Sequence, residues 1–166
     1  LNNLCVLSIL EGDLETAREL GGRSLEIRQL LGDASGVAGS RTNLATIELR
    51  GGRLQEAAGH AAEALKLNVE LGSMYQVAGC LEVSGEILCE AGQPALSARL
   101  FARADQVRRG MGTPTSEEER KAREPQLRRL EELLGHEQVR VERELGETGE
   151  LDSLVELTRE RLAAVE

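Results

Sequence analysis

The chain has 166 residues with one Tyr, one Phe, no Trp and a net charge of −9. A core almost without aromatics has to be built from Leu, Val, Ile and Ala, which suits helix-on-helix packing better than a β-sandwich. The acidic balance leaves no basic face, which speaks against nucleic acid as a partner of this segment. No stretch approaches the ~20 apolar residues of a membrane span, and no basic-then-apolar leader opens the chain, so no membrane partner is expected. Leu1 stands where a start Met would, and the chain is expected to be a segment of a longer protein. Cys5, Cys80 and Cys89 form no CxxC and leave one thiol unpaired in any scheme, which fits a reducing, cytoplasmic setting.

In chain order, the first feature is a repetition. "NLCVLSILEGDLETA" starts at Asn3 and "NLATIELRGGRLQEA" starts at Asn43. Laying residues 3–42 on 43–82 without a gap gives eleven identities in forty positions, among them Leu4/Leu44, Gly12/Gly52, Ala17/Ala57, Leu25/Leu65 and Gly32/Gly72. A weaker third copy starts at Val83, with Gly92, Ala104 and Gly112 in register. A period of this size signals stacked repeats.

Each copy reads as two helices, giving pairs over 1–32, 33–72 and 73–112. Gly12, Gly52 and Gly92 stand where the first helix of each pair ends, because glycine takes the left-handed cap conformation cheaply. The second helix starts near Leu14, Leu54 or Ala95 and stops at "LLGD", "ELGS" or "GMGT". Asp33 and Ser73 are predicted N-caps of the helices that follow. Small residues at Cys5, Ala45 and Gly85, at Ala17 and Ala57, and at Ser24, Ala64 and Ala104 would let helices approach closely, with Leu4, Leu44, Leu25 and Leu65 filling between them. One pair cannot bury its apolar face alone, whereas stacked copies can.

Thr113-Pro114 breaks the third copy. Ser116 to Glu119 reads as a capping box opening a helix whose apolar stripe is Leu127, Leu130, Leu133 and Leu134. Pro125 is expected to kink or restart that helix near Glu124. Two more helices are predicted at about 137–145 and 151–165. Residues 111–166 hold fifteen acidic and nine basic side chains, so residues 113–166 read as an acidic helical cap over the last repeat. A charged coiled-coil extension is the competing picture, with Gly135, Gly146 and Gly149 interrupting its stripe.

These repeats resemble the tetratricopeptide repeat in its form of about forty residues. The likeness is carried by "NLCVLSILEGDLETA", "SLEIRQLLGDASGVAGSRTNLATIELRGGRLQEAA" and "ALKLNVELGSMYQVAG". It implies an all-α, tetratricopeptide-like α-solenoid of antiparallel helix pairs with a C-terminal helical cap. The tail, "GQPALSARLFARADQVRRGMGTP" through "GETGELDSLVEL", is similar to the end of large bacterial regulators in which an ATPase core precedes such repeats. The chain departs from the pattern where an aromatic usually stands in the second helix. Gly21 and Ala61 occupy that position, and Phe101 alone keeps it. Gly21-Gly22 inside a helix costs about 1 kcal/mol per glycine relative to Ala, so the first repeat is expected to be marginal or to lean on a repeat upstream.

No nucleotide-binding, zinc-protease or nucleophile-elbow motif is present. His60 and His136 lie far apart with no metal-ligand spacing, and the cysteines read as small packing residues. Neither catalysis, a metal nor a cofactor is expected. The resemblance implies that the first helix of each pair lines a concave face, where Asn and charged side chains hold an extended peptide. On the second such helix that leaves Gly39, Thr42, Asn43, Thr46 and Arg50. One repeat on, the stripe is Gly79, Glu82, Glu86 and Glu90, and one repeat back it is Asn2, Asn3 and Val6. An Asn amide can both donate to and accept from a peptide backbone. The alternative role for Asn3 and Asn43 is to fix repeat stacking. Glu82, Glu86 and Glu90 repel at i, i+4 spacing, at a few tenths of a kcal/mol per pair; a basic partner would relieve this, or the stripe is a solvated face. The expected partner is therefore a protein or peptide segment, with a small metabolite or self-association as alternatives.

Overall fold

A computed structural model describes residues 1–166, with the side chain of Glu119 excepted. The described residues form nine helices and no strand: α1 (Asn2–Glu11), α2 (Leu14–Leu30), α3 (Ala34–Arg50), α4 (Leu54–Glu70), α5 (Met74–Glu90), α6 (Pro94–Gly110), α7 (Glu117–Leu134), α8 (His136–Thr148) and α9 (Leu151–Ala163). The fold class is all-α, as expected from the sequence. α2 to α6 each have 17 residues, and their starts recur every twenty residues.

The links explain that regularity. Gly12, Gly32, Gly52, Gly72, Gly92 and Gly112 all take positive φ, between 65° and 81°. The residue after each glycine donates its N–H back to a carbonyl in the preceding helix, as from Asp33 to Arg28 at 3.0 Å and from Arg53 to Glu48 at 2.8 Å. This is the Schellman closure, which satisfies carbonyls the helix end leaves open. On the other side of the link, Asp13 accepts from the Thr16 N–H at 3.1 Å and Asp33 from the Gly36 N–H at 2.9 Å. Ser73 holds the equivalent position without a side-chain cap bond, so only Asp33 of the two predicted caps closes a helix with its side chain.

Each helix from α1 to α6 packs on the next. α3 also touches α1, and α5 touches α3, whereas α2, α4 and α6 make no comparable contact with one another among the described residues. The array is therefore tighter on its α1–α3–α5 side. The main core joins Ala45, Ala57, Leu65, Val77, Leu81, Ile87 and Leu100 with residues of α9. A smaller cluster, Cys5, Ile9, Ala17, Leu44 and Ile47, holds the first pair to α3.

The small residues do what their recurrence implied. At two helix contacts, bulk on one helix is matched by its absence on the other. Gly85 faces Phe101, whose ring would lie 3.3 Å from a Cβ placed there, and a Cβ at Gly21 would lie 3.4 Å from the Cys5 sulfur and 3.0 Å from Leu44 Cδ2. Ala45 and Ala61 are both fully buried in the main core. Gly21 is thus a packing requirement as well as a helix-propensity cost.

Other expectations are corrected. Leu4 is exposed and Leu25 only half-buried, whereas their repeat counterparts Leu44 and Leu65 are buried. α7 runs through Pro125 without a break in assignment; Pro125 and Lys121, whose carbonyl loses its helical donor, are both exposed, so water can take that acceptor. α7 starts directly after Ser116, while the Glu119 side of the expected capping box lies outside the described residues. The tail also does more than close the end. α8 packs along α6, α9 lies on α4 and α5, and α7 contacts α6 and α8. It folds back along the repeats and is no extension.

Candidate binding groove

The inner stripe of the array begins on α1 and α3, where most polar side chains turn toward the chain itself. Asn43 Nδ2 donates to Asn2 Oδ1 at 2.9 Å, tying α3 to α1. Its partner is Asn2, one residue away from its repeat counterpart Asn3, which is exposed and makes no hydrogen bond among the described residues. Thr42 Oγ1 donates to the Ala38 carbonyl at 3.0 Å and lies 3.2 Å from Cys80 Sγ; Thr46 Oγ1 donates to the Thr42 carbonyl at 3.2 Å. Arg50 Nη1 donates to the Ile9 carbonyl at 2.8 Å. These four side chains stand on α3, and their hydrogen bonds run within or between repeats.

On α5 the stripe changes character. Glu82 receives a two-pronged bond from Arg108 on α6, at 2.8 and 2.9 Å, and a further bond from Arg123 on α7. The Arg108 guanidinium also lies over the Tyr75 ring, 5.4 Å from its centroid. Arg123 reaches Asp105 on α6 at 2.9 Å. One turn beyond Glu86, Glu90 receives two bonds from Arg129 at 2.7 and 3.2 Å. The like-charged stripe is thus relieved by basic side chains of this chain, two of them on α7.

Glu86, between the two paired carboxylates, has no hydrogen bond or ion pair among the described residues. Burial pushes its carboxyl above the ordinary range; the positive charges of Arg50 and Arg123 oppose this, and the negative charges of Glu82 and Glu90 add to it. It borders a cavity of about 600 Å³ between α3, α5, α6 and α7. Leu49, Cys89, Phe101 and Pro125 supply the apolar wall, and Arg50, Arg123 and Arg129 line it with the three glutamates. The arrangement can hold a small apolar body carrying one cationic end.

The sequence expectation found Glu82, Glu86 and Glu90 but missed Arg108, Arg123, Arg129 and Asp105. The signal was present: "ERKAREPQLRR" (119–129) is a basic run inside an acidic tail, and a tail that folds back brings it onto the stripe.

Elsewhere, the three thiols are free and buried, and burial raises the pKa of each, which disfavours the reactive thiolate. His60 is half-buried, and burial followed by the Arg41 charge lowers its pKa; His136 is exposed beside Glu131. Among the described residues no group of three His, Cys, Asp or Glu side chains could hold a metal ion, and no helix is long and apolar enough to cross a membrane. Compared with family models, curated proteins and solved structures, the chain matches none.

Proposed function

We propose that this chain is a non-catalytic, protein-binding repeat module of the tetratricopeptide kind, taking a peptide or helical segment on its α1–α3–α5 face with a cationic side chain at Glu86. The reading rests on one observation. Of three carboxylates along α5, the outer two are held by arginines of the chain, and the middle one borders a cavity of about 600 Å³ with no cation bonded to it. A partly buried carboxylate with no cation bonded to it is costly to maintain, and an incoming guanidinium or ammonium would offset that cost. α7 illustrates the chemistry the face accepts, since Arg123 and Arg129 seat on it from a helix.

The sequence resemblance supports placing such a module in a bacterial signalling or transcription regulator, where occupancy of the groove would bias an output domain. The three unpaired thiols favour the cytoplasm. A second reading draws on the cavity volume, which falls within the roughly 300–1,000 Å³ of small-molecule sites: the ligand would then be a small organic cation.

Isothermal titration with arginine-containing peptides and with spermidine tests both. The expected result is saturable binding of a peptide at low salt, weakened at least about tenfold by Glu86→Gln. Binding of spermidine alone would transfer the site to the second reading. Failure of every probe to bind, or affinity indifferent to Glu86→Gln, would reject the groove as the functional site.

A further inference from the structure

The first half of α7 crosses the groove without packing into it. Among the described side chains of residues 114–124 none is buried, and only Thr115 and Arg123 are half-buried. Arg123 bonds Glu82 on α5 and, at 2.9 Å, Asp105 on α6; Thr115 Oγ1 donates to the same Asp105 carboxylate at 3.1 Å. Space remains to either side of this attachment. One side is the cavity of about 600 Å³ bordered by Glu86, and the other is a cavity of about 500 Å³ walled by Asp105 of α6, Leu127 of α7 and Arg143 of α8. Arg123 and Phe101 line both. The second half of α7 is anchored differently. Leu130 is fully buried in a cluster with Cys89, Ala98, Phe101 and Val139, and Leu127 and Leu134 pack against it. Pro125 divides the two halves. Having no N–H, it leaves the Lys121 carbonyl without a helical donor.

We propose that residues 114–124 form a latch over the Glu86 cavity, closed by Arg123 and opened by unwinding as far as Pro125. A helix of about two turns without apolar packing is marginal in water, so the closed state depends on the Arg123 pairs. Unwinding takes one cation from Glu82, which keeps the two-pronged bond from Arg108, and joins the two cavities into one groove with Phe101 in its wall. A basic segment entering the groove competes with Arg123 for Glu82 and Asp105 and thereby favours the open state. This coupling rests on the function proposed for the groove. The first half of α7 is then a tethered occupant that an external cation has to displace.

Alkylation of Cys89 by iodoacetamide in the full chain, followed by peptide mass spectrometry, reads the latch without any ligand. Cys89 lines the Glu86 cavity, and the charges acting on its thiol are those of Arg129 and Glu90, so removing Arg123 changes access and not ionisation. Arg123→Gln is expected to speed its alkylation at least about fivefold. Pro125→Ala, which gives the Lys121 carbonyl a donor, slows it, and the fully buried Cys80 reacts at the same rate in both variants. Arg140→Gln, at an exposed pair within α8, changes neither thiol. Hydrogen exchange shows the same boundary, with Arg123→Gln accelerating α7 amides before Pro125 and sparing those after it. A Cys89 rate indifferent to Arg123→Gln, a Cys80 rate that rises with it, or acceleration along the whole of α7 overturns the latch. Titration with the arginine-containing peptides then reads the coupling. Loss of the tethered competitor tightens binding at least about threefold; equal or weaker binding to Arg123→Gln refutes the competition. Faster Cys89 alkylation with no peptide bound by either chain upholds the latch and rejects the groove function alone.

Discussion

Glu86 is partly buried and faces a cavity, with no cation hydrogen-bonded to it among the described residues. Its pKa in the folded chain lies above the ordinary carboxylate value, with burial as the first cause. Between those two values the folded chain holds a proton that the unfolded chain has lost, so stability falls as pH rises through that window. The charges facing it are Arg50 from α3, Glu82 and Glu90 from α5, and Arg123 from α7. Glu142 on α8 has the opposite sign. Burial pushes its carboxyl up, but hydrogen bonds from Arg99 and Gln138 and the Arg99 charge outweigh this and leave it low. Its contribution is present above the ordinary carboxylate value and is lost as pH falls through the lowered one. Urea denaturation of the parent chain and of Glu86→Gln across pH 4–8 separates the two. The parent is expected to lose stability relative to the variant as pH rises, with the difference levelling off above the folded pKa. A constant difference would mean that Glu86 titrates normally. At this scale the sequence told which side chains share a face but not what each one touches. Asn43 reaches Asn2 because helix offset, invisible in a repeat alignment, decides which of two neighbouring amides lies opposite.

Among elements, the repeat helices and the three tail helices were legible to within a few residues, but the place where the tail packs was not. The difference is local against distant causation. A glycine every twenty residues closes each helix through its own backbone conformation, and the three-residue link starts the next. The placement of α8 depends instead on a contact with α6 that no local pattern announces. Gly146 looked like an interruption of an apolar stripe, yet a Cβ there would stand 2.3 Å from the Arg99 carbonyl oxygen and 2.7 Å from its Cα. The glycine lets two backbones cross closely, and backbone cannot move aside as a flexible side chain can. Gly146→Ala is therefore expected to lower unfolding free energy by about 1–3 kcal/mol, despite alanine's better helix propensity. A urea midpoint equal to or above the parent's would show that α8 can shift to admit the methyl group. α7 was legible as a helix but not as the helix that neutralises α5, since Arg123 lies 41 positions from Glu82 and Arg129 lies 39 from Glu90.

Over the whole molecule, apolar burial is uneven. The main core draws on α3 to α6 and α9, whereas the α1–α2 end is held by five buried apolar residues, the Asn43–Asn2 bond and the Arg18–Glu48 pair at 2.9 and 3.2 Å. Local opening free energy follows such contact density. Hydrogen exchange should accordingly proceed in two tiers. α1 and α2 amides would open first, and those of α4, α5 and α6 only with global unfolding. Uniform protection across all six repeat helices would contradict this gradient. The sequence reading expected a marginal first repeat from Gly21-Gly22; the smaller α1–α2 cluster is a separate reason to expect early opening there.

The matched bulk at those two helix contacts also constrains how such a gene can change length. Excising residues 43–82 would keep the period intact, yet Gly21 would then face Ser84 in place of Leu44 and leave a void where a leucine had fitted. Duplicating that segment would instead press Ala61 toward a second Leu44, where even the bare glycine leaves only 3.0 Å for a methyl carbon. A change of length by one whole unit would thus be opposed by steric fit even where the period is kept, and each unit keeps its place in line.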